Sequence, residues 1–114
     1  MLTIDALRDY GANVDEGLGR CFNNEAFYLR LVGMGLADAN FDKLKAAMDA
    51  GDTTAAFEAA HALKGSIGNL ALTPLYEPIS ALTERLRGQT GPVDCGDLPA
   101  VIQEQYEKAK ALMD

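Results

Sequence analysis

The sequence is short of cysteine and of positive charge. Its two cysteines, Cys21 and Cys95, are too few and too far apart for a disulfide framework or a four-ligand zinc site, so we expect buried or incidental thiols. Ten lysines and arginines stand against seventeen aspartates and glutamates, a formal charge of -7. That sign disfavours ligands that are recognised through rows of phosphate groups. We therefore expect neither nucleic acid nor a membrane as a partner.

Long apolar runs are also missing. No run approaches the roughly 18 residues that a membrane span needs, because Gly33 and Gly35 interrupt the best candidate and Asp38 ends it. The first residues lack the basic and apolar segments of a secretory leader, which favours a reducing, cytoplasmic location. The one histidine has no cysteine beside it, so we expect no resident metal or other cofactor.

The β-branched and aromatic runs that indicate strands are absent, and apolar residues recur at helical spacing instead. The 114 residues leave room for one domain. The sequence predicts an all-α fold, an antiparallel up-down four-helix bundle with short additional N-terminal helices. Within this single domain, residues 1–38 hold the N-terminal helices, which form a lid and part of the bundle. Residues 40–113 hold the helical hairpins of the bundle.

Capping residues and apolar stripes predict where each helix lies. The expected N-caps are Thr3, Asn13, Asn24, Asn40, Asp52 and Thr73. The expected core stripes are Val14, Leu18 and Phe22; Phe27, Leu31 and Met34, with Tyr28 and Val32 beside them; Phe41, Leu44, Ala47 and Met48; and Leu75, Ile79, Leu82 and Leu86. Three methionines, Met34, Met48 and Met113, are expected to fill the core.

The helix expected from Thr53 to about Leu70 has an unusual outer face. On a helical wheel its apolar residues cluster on one side, and His61 points outward. Lys64, Gly65 and Gly68 follow His61 on the same face, and Phe57 lies one turn before it. Two glycines on an exposed helix face cost roughly 2 kcal/mol relative to alanine. We therefore expect that the space left by the glycines allows another molecule to approach the His61 ring closely.

These residue types suit phosphoryl transfer. An imidazole offers a neutral, nucleophilic nitrogen near pH 7, and Lys64 adds a cation for an anion held at the ring. A nucleophile that takes phosphate from a docked donor has these requirements. We interpret the exposed Phe57 as a partner-contact residue. The sequence has no glycine-rich phosphate loop, so we expect no autonomous kinase activity.

The motif His61-Ala62-Leu63-Lys64-Gly65-Ser66, with Leu70 and Leu75 downstream, closely resembles the signature of histidine-containing phosphotransfer (HPt) domains, the relay modules of multistep two-component signalling. The resemblance implies that His61 is phosphorylated on Nε2 and that Lys64 helps to neutralise the phosphoryl oxygens. It also implies that Gly65 and Gly68 keep a docking face open.

The sequence departs from the family pattern at three positions. Many members have a small residue where Ile67 stands and a glycine where Ala71 stands, and both positions fall on the core side of the wheel. Members often place a glutamine or glutamate on the following helix to hold the other imidazole nitrogen. Thr83 occupies that position here, so it is the candidate for orienting the imidazole, with a shorter reach.

The resemblance implies a phosphorelay intermediary that accepts a phosphoryl group from a receiver-domain phospho-aspartate and passes it to another response-regulator receiver. The implied partners are response-regulator receiver domains and a hybrid sensor histidine kinase; the receiver supplies Mg²⁺, and we expect this chain to be a monomer. Two alternatives remain open. One is a non-catalytic adaptor that docks receivers without a phosphohistidine. The other is a phosphatase-like regulator in which Asn69 or Glu84 positions water.

Overall fold

The computed structural model describes all 114 residues, which form seven α-helices and no strand. The helices are α1 (Ile4–Tyr10), α2 (Val14–Arg20), α3 (Glu25–Leu36), α4 (Asn40–Ala50), α5 (Thr53–Asn69), α6 (Thr73–Leu86) and α7 (Leu98–Ala111). The predicted all-α fold is confirmed. No helix is both long enough and apolar enough to cross a lipid bilayer.

Helices α4 to α7 pack in chain order, with α4 on α5, α5 on α6 and α6 on α7, and α3 contacts α7. Residues 51–52 join α4 to α5, and residues 70–72 join α5 to α6. Neighbouring helices joined by such short segments run antiparallel. The longer segment 87–97 joins α6 to α7. The result is an elongated bundle of 43 × 24 × 20 Å.

Local capping chemistry sets most of the helix starts. The expected caps Thr3, Asn13, Asn24 and Asp52 are confirmed, since each side chain accepts a hydrogen bond from the backbone N–H three residues on. Two caps are wrong. Asn40 is the first residue of α4, and the Asp38 carboxylate accepts from its N–H in an Asx turn. Thr73 is the first residue of α6, because Pro74 fits the first turn of a helix.

The core combines the inner faces of α5 and α6. Every member of the predicted α6 stripe is buried: Leu75, Ile79, Leu82 and Leu86. The inner face of α5 is equally closed: Ala56, Ala59, Ala60, Leu63 and Ile67. The small alanines allow α5 to pack closely against α4 and α6. The two cysteines are buried free thiols.

The predicted stripe of α3 is wrong. The buried residues are Tyr28, Val32 and Leu36, whereas Phe27 is 42% exposed and Met34 is 61% exposed. The helix is apolar on most of its circumference, so its pattern does not distinguish faces that differ by one residue.

Two other core assignments are wrong. Phe22 lies beyond the end of α2 and is 91% exposed, and Met113 is also exposed. Met48 is half-buried and packs against the core. These errors fall at helix ends or on the rim of the bundle, where hydrophobicity alone does not determine burial.

Tyr28 ties the N-terminal helices to the bundle. Its side chain is fully buried, and its hydroxyl donates to the Leu70 carbonyl oxygen at 2.7 Å. Burial raises the pKa of Tyr28 to about 12, so the hydroxyl keeps the proton that it donates. Gly17 in α2 makes room for the ring, because a Cβ atom there would lie 2.5 Å from Tyr28 Cε1. One side chain thus joins α2, α3 and the α5–α6 connection.

Arg20 fixes the end of α2 against α5. Its Nη1 donates to the carbonyl oxygens of Gly68 at 2.8 Å and Asn69 at 3.1 Å, and its guanidinium also pairs with Glu16. Carbonyl groups in the last turn of a helix have no partner within the helix, and this arginine donates to two of them; the Gly68 carbonyl also accepts from the Ala71 N–H. The Asn13 N–H donates to the Ala71 carbonyl nearby. Helix α2 is therefore held beside the C-terminal end of α5.

Replacing Tyr28 by phenylalanine should lower the free energy of unfolding by about 1 to 3 kcal/mol, because the buried Leu70 carbonyl loses its donor. Urea denaturation followed by circular dichroism measures the loss. The matched control is Tyr76→Phe, at a half-buried ring whose hydroxyl donates to no protein group. Equal stability losses in the two variants would contradict an anchoring role for the Tyr28 hydroxyl.

Candidate functional site

Helix α5 presents His61 on its outer face. Asp52 starts the helix by accepting from the Ala55 N–H, and buried Leu63 and Ile67 hold its inner face beyond the first glycine. The helix therefore continues through Gly65 to Asn69 instead of ending at the glycine. With the inner face fixed in the core, His61 is exposed as expected.

The His61 ring is stacked against an aromatic neighbour. No hydrogen bond joins either of its ring nitrogens to another residue. The Phe57 ring lies beside it, with 5.6 Å between the centroids and 19° between the planes. Phe57 itself is half-buried and packs against the core. The imidazole nitrogens are thus open to an incoming group, while one face of the ring contacts an aromatic neighbour.

A charged cluster from α5 and α6 borders the stacked rings. The Glu84 carboxylate lies 2.8 Å from Arg87 Nε and 3.7 Å from Lys64 Nζ. The hydrogen bond from Arg87 is the main reason that the pKa of Glu84 is lowered, and the nearby Lys64 acts in the same direction. Arg87 also places its guanidinium carbon 5.2 Å from the centroid of the Phe57 ring. The cluster itself has two cations, Arg87 and Lys64, and one anion, Glu84.

A groove of about 720 Å³ opens beside the imidazole. It runs between α2, the outer face of α5 and the start of α6. Residues along it include His61, Lys64, Gly65, Gly68, Asn69, Arg20, Tyr76 and Glu77. No group of three or more histidine, cysteine, aspartate or glutamate side chains is arranged to hold a metal ion.

The structure separates Thr83 from the site. Thr83 is fully buried, and its hydroxyl donates to the Ile79 carbonyl at 2.8 Å. Threonine in a helix commonly bonds to the carbonyl four residues earlier in this way. The expectation that Thr83 orients the imidazole is therefore wrong, since its hydroxyl is used within α6 on the core side.

The two glycines beside His61 differ. A Cβ atom at Gly65 would meet nothing within 4 Å, so this position leaves the helix surface bare. A Cβ atom at Gly68 would lie 2.9 Å and 3.1 Å from two ring carbons of Tyr76. The space at Gly68 is occupied by the Tyr76 ring, which corrects the expectation that both glycines keep the face open.

The departures at Ile67 and Ala71 concern packing. Both side chains are buried, as the wheel predicted. Ala71 has a φ of 59°, in the left-handed region that glycine adopts without strain. A backbone of this shape explains why a glycine suits the position.

Sequence reasoning missed the parts played by Tyr76 and Arg87. The spacing of Glu84 and Arg87 on one helix indicates an ion pair. Their contacts with residues of α5, however, depend on how α6 packs against it. Nothing in the local sequence of Tyr76 predicts that its ring covers Gly68.

The chain belongs to the Hpt domain family, since the family model for the Hpt domain matches residues 35–112. The match includes α4 to α7 and therefore His61, Lys64, Glu84 and Arg87. Comparison with curated proteins gives no match, and neither does comparison with solved structures. Membership implies a phosphotransfer role in two-component signalling, and Hpt domains interact with response-regulator receiver domains.

Substitution by alanine should change the stability of the protein differently at the two glycines. Gly65→Ala should stabilise the protein by up to about 1 kcal/mol, because alanine favours the helix and its Cβ meets nothing. Gly68→Ala should leave the stability unchanged or lower it, because the Tyr76 ring must move. Thermal unfolding of both variants measures the difference. A gain at both positions would show that the Tyr76 ring leaves space at Gly68.

Proposed function

We propose that this protein is a phosphorelay intermediary and that His61 carries the phosphoryl group. It accepts the group from the phospho-aspartate of one receiver domain and passes it to the aspartate of another. The donor receiver belongs to a hybrid sensor histidine kinase, and the carrier acts as a cytoplasmic monomer. The observation that carries the proposal is an exposed imidazole with no hydrogen bond to the protein, one turn from the bare surface at Gly65.

The chemistry requires only a nucleophile and positive charge from this chain. The lone pair of His61 Nε2 attacks phosphorus while the bond between phosphorus and the aspartyl oxygen breaks, which returns the receiver carboxylate. The Nδ1 atom keeps its proton, so the phosphorylated ring carries a positive charge. Transfer to the second receiver reverses these steps.

Lys64 is the cation best placed to stabilise the phosphoryl oxygens. It lies one turn after His61 on α5, and its amino group faces Glu84 at a distance of 3.7 Å. A phosphoryl group on His61 carries more negative charge than the Glu84 carboxylate. The Lys64 side chain can therefore leave this loose ion pair and bind the phosphoryl oxygens.

The receiver brings the aspartate and the Mg²⁺. Glu84 is the carboxylate in contact with Lys64 at this site, and two cations already neutralise it. The site is therefore better suited to bind the oxygens of a phosphoryl group than to bind a divalent ion in addition to the Mg²⁺ of the receiver. The carrier has no nucleotide-binding loop and is expected to gain phosphate only from a partner.

Incubation with a ³²P-labelled phospho-receiver tests the proposal. The wild-type protein should become labelled at His61, and His61→Gln should remain unlabelled while its free energy of unfolding falls by no more than about 1.5 kcal/mol, the strength of the aromatic pair that it loses. The label should be acid-labile and alkali-stable. Binding of the receiver without any label would favour the adaptor. Release of phosphate without a labelled intermediate would favour a phosphatase-like regulator that uses Asn69 or Glu84.

Gly65→Leu tests the docking face separately from the nucleophile. The Cβ atom meets nothing within 4 Å and the position is exposed, so the fold should persist, while the larger side chain obstructs the surface beside His61. We expect at least a tenfold fall in the rate of transfer from the receiver at limiting concentration. Gly19→Leu is the control, because Gly19 is also an open helical glycine and lies on α2. Unchanged transfer by Gly65→Leu would show that the receiver does not approach over this turn.

A further inference from the structure

The orientation of the His61 ring requires an explanation. A nucleophilic nitrogen must lie in line with the bond that breaks, and misplacement of the ring slows the reaction. No hydrogen bond fixes the imidazole, and Thr83 is directed into the core. The aromatic contact of the ring is with Phe57, one turn earlier on the same helix.

We propose that Phe57 is the positioning residue of His61, and that Arg87 and Glu84 hold the Phe57 ring in place. The proposal rests on the function proposed above, because it concerns how the same histidine reacts. It assigns Phe57 a role within the carrier that is separate from contact with a partner.

Stacking suits this role for two physical reasons. The planes of the two rings are within 19° of parallel, so contact with Phe57 limits rotation of the imidazole about its side-chain bonds. The imidazole also becomes positively charged when Nε2 bonds to phosphorus. An aromatic ring whose centroid lies 5.6 Å away attracts the charged ring more than the neutral one. The contact therefore strengthens as the reaction proceeds, which is the condition for accelerating it.

Phe57 is held in turn from α6. The guanidinium carbon of Arg87 lies 5.2 Å from its ring centroid, and the Arg87 Nε donates to Glu84 at 2.8 Å. The ion pair reduces the freedom of the arginine and neutralises its charge, so the stacked imidazole does not face an isolated cation. Glu84 also faces Lys64. The Glu84 carboxylate therefore connects Lys64, which would bind the phosphoryl group, with Arg87, which contacts Phe57.

A small phosphodonor distinguishes a role of Phe57 in positioning His61 from a role in contacting a receiver. Phosphoramidate transfers its phosphoryl group to imidazole by breaking the P–N bond, with ammonia as the leaving group, and it needs no protein interface. If Phe57 only contacts a receiver, Phe57→Leu should be labelled by phosphoramidate as fast as the wild type. If Phe57 positions His61, that rate should fall.

We expect Phe57→Leu to slow labelling by phosphoramidate about three- to tenfold, a range that corresponds to the strength of one aromatic pair. Leucine keeps an apolar side chain against the core, and Phe57→Tyr, which restores a ring, should recover most of the rate. The matched control is Phe22→Leu, at an exposed aromatic residue outside the site. A wild-type rate for Phe57→Leu, or failure of tyrosine to restore it, would overturn the proposal.

A second readout reports on the ring itself. In the wild type, NMR should show nuclear Overhauser contacts between the Phe57 and His61 rings and one preferred side-chain rotamer for His61. In Phe57→Leu the rotamer averaging of His61 should increase, while the amide spectrum of α6 stays unchanged. An ordered His61 rotamer in that variant would contradict positioning by Phe57.

A double-mutant cycle tests the part assigned to Arg87. Arg87→Gln should slow labelling by phosphoramidate in the wild-type background and have little further effect in Phe57→Leu. Equal slowing in both backgrounds would show that Arg87 acts without Phe57, and that part of the proposal would be wrong.

The two proposals fail in different ways. If phosphoramidate labels the wild type at His61 but no phosphorylated receiver does, the relay function is wrong, and the Phe57 comparison still decides how the ring is positioned. If neither donor labels His61, both proposals are wrong. If receivers label all the variants at equal rates and phosphoramidate does so too, only the positioning proposal is wrong.

Discussion

The close packing of α5 between α4 and α6 is the constraint on which the site depends. A face of alanines, Leu63 and Ile67 is buried there, so the rotation of α5 about its axis is fixed. The opposite face has no such constraint and can include residues that weaken a helix. Gly65 and an imidazole without hydrogen bonds are tolerated because the stability of α5 comes from its other side. The core thus determines where the His61 ring lies.

The N-terminal segment is attached to that core by polar contacts at one end of α5. The hydroxyl of Tyr28 and the guanidinium of Arg20 both donate to backbone carbonyls around residues 68–70. Carbonyls at the end of a helix lack the partners of its interior, so side-chain donors stabilise them while they join two parts of the fold. The connection between α5 and α6 is also where Ala71 adopts a left-handed backbone. Several elements therefore depend on one short turn.

The sequence predicted the helical class, most N-caps and the exposure of His61, because capping, periodicity and an amphipathic face are local properties. It failed for Asn40 and Thr73, where the cap lies one residue earlier, and for α3, whose apolar residues surround the helix. It also failed for Thr83 and Gly68. Whether a threonine side chain faces the core or the site, and whether a tyrosine fills the space beside a glycine, depends on contacts between helices. The contact of Arg87 with Phe57 likewise depends on how two helices pack.

The rim of the groove has two origins. One side consists of α5 and α6, which lie within the region matched by the Hpt family, and the other includes Asn13, Glu16 and Arg20 of the α2 segment, which lies outside it. A substitution at Glu16 changes the charge of this rim, whereas one at Arg20 also removes the hydrogen bonds to the Gly68 and Asn69 carbonyls. The charge along the groove beside His61 therefore comes partly from a segment outside the matched region, and it can vary while the packing of α4, α5 and α6 that places the histidine stays the same.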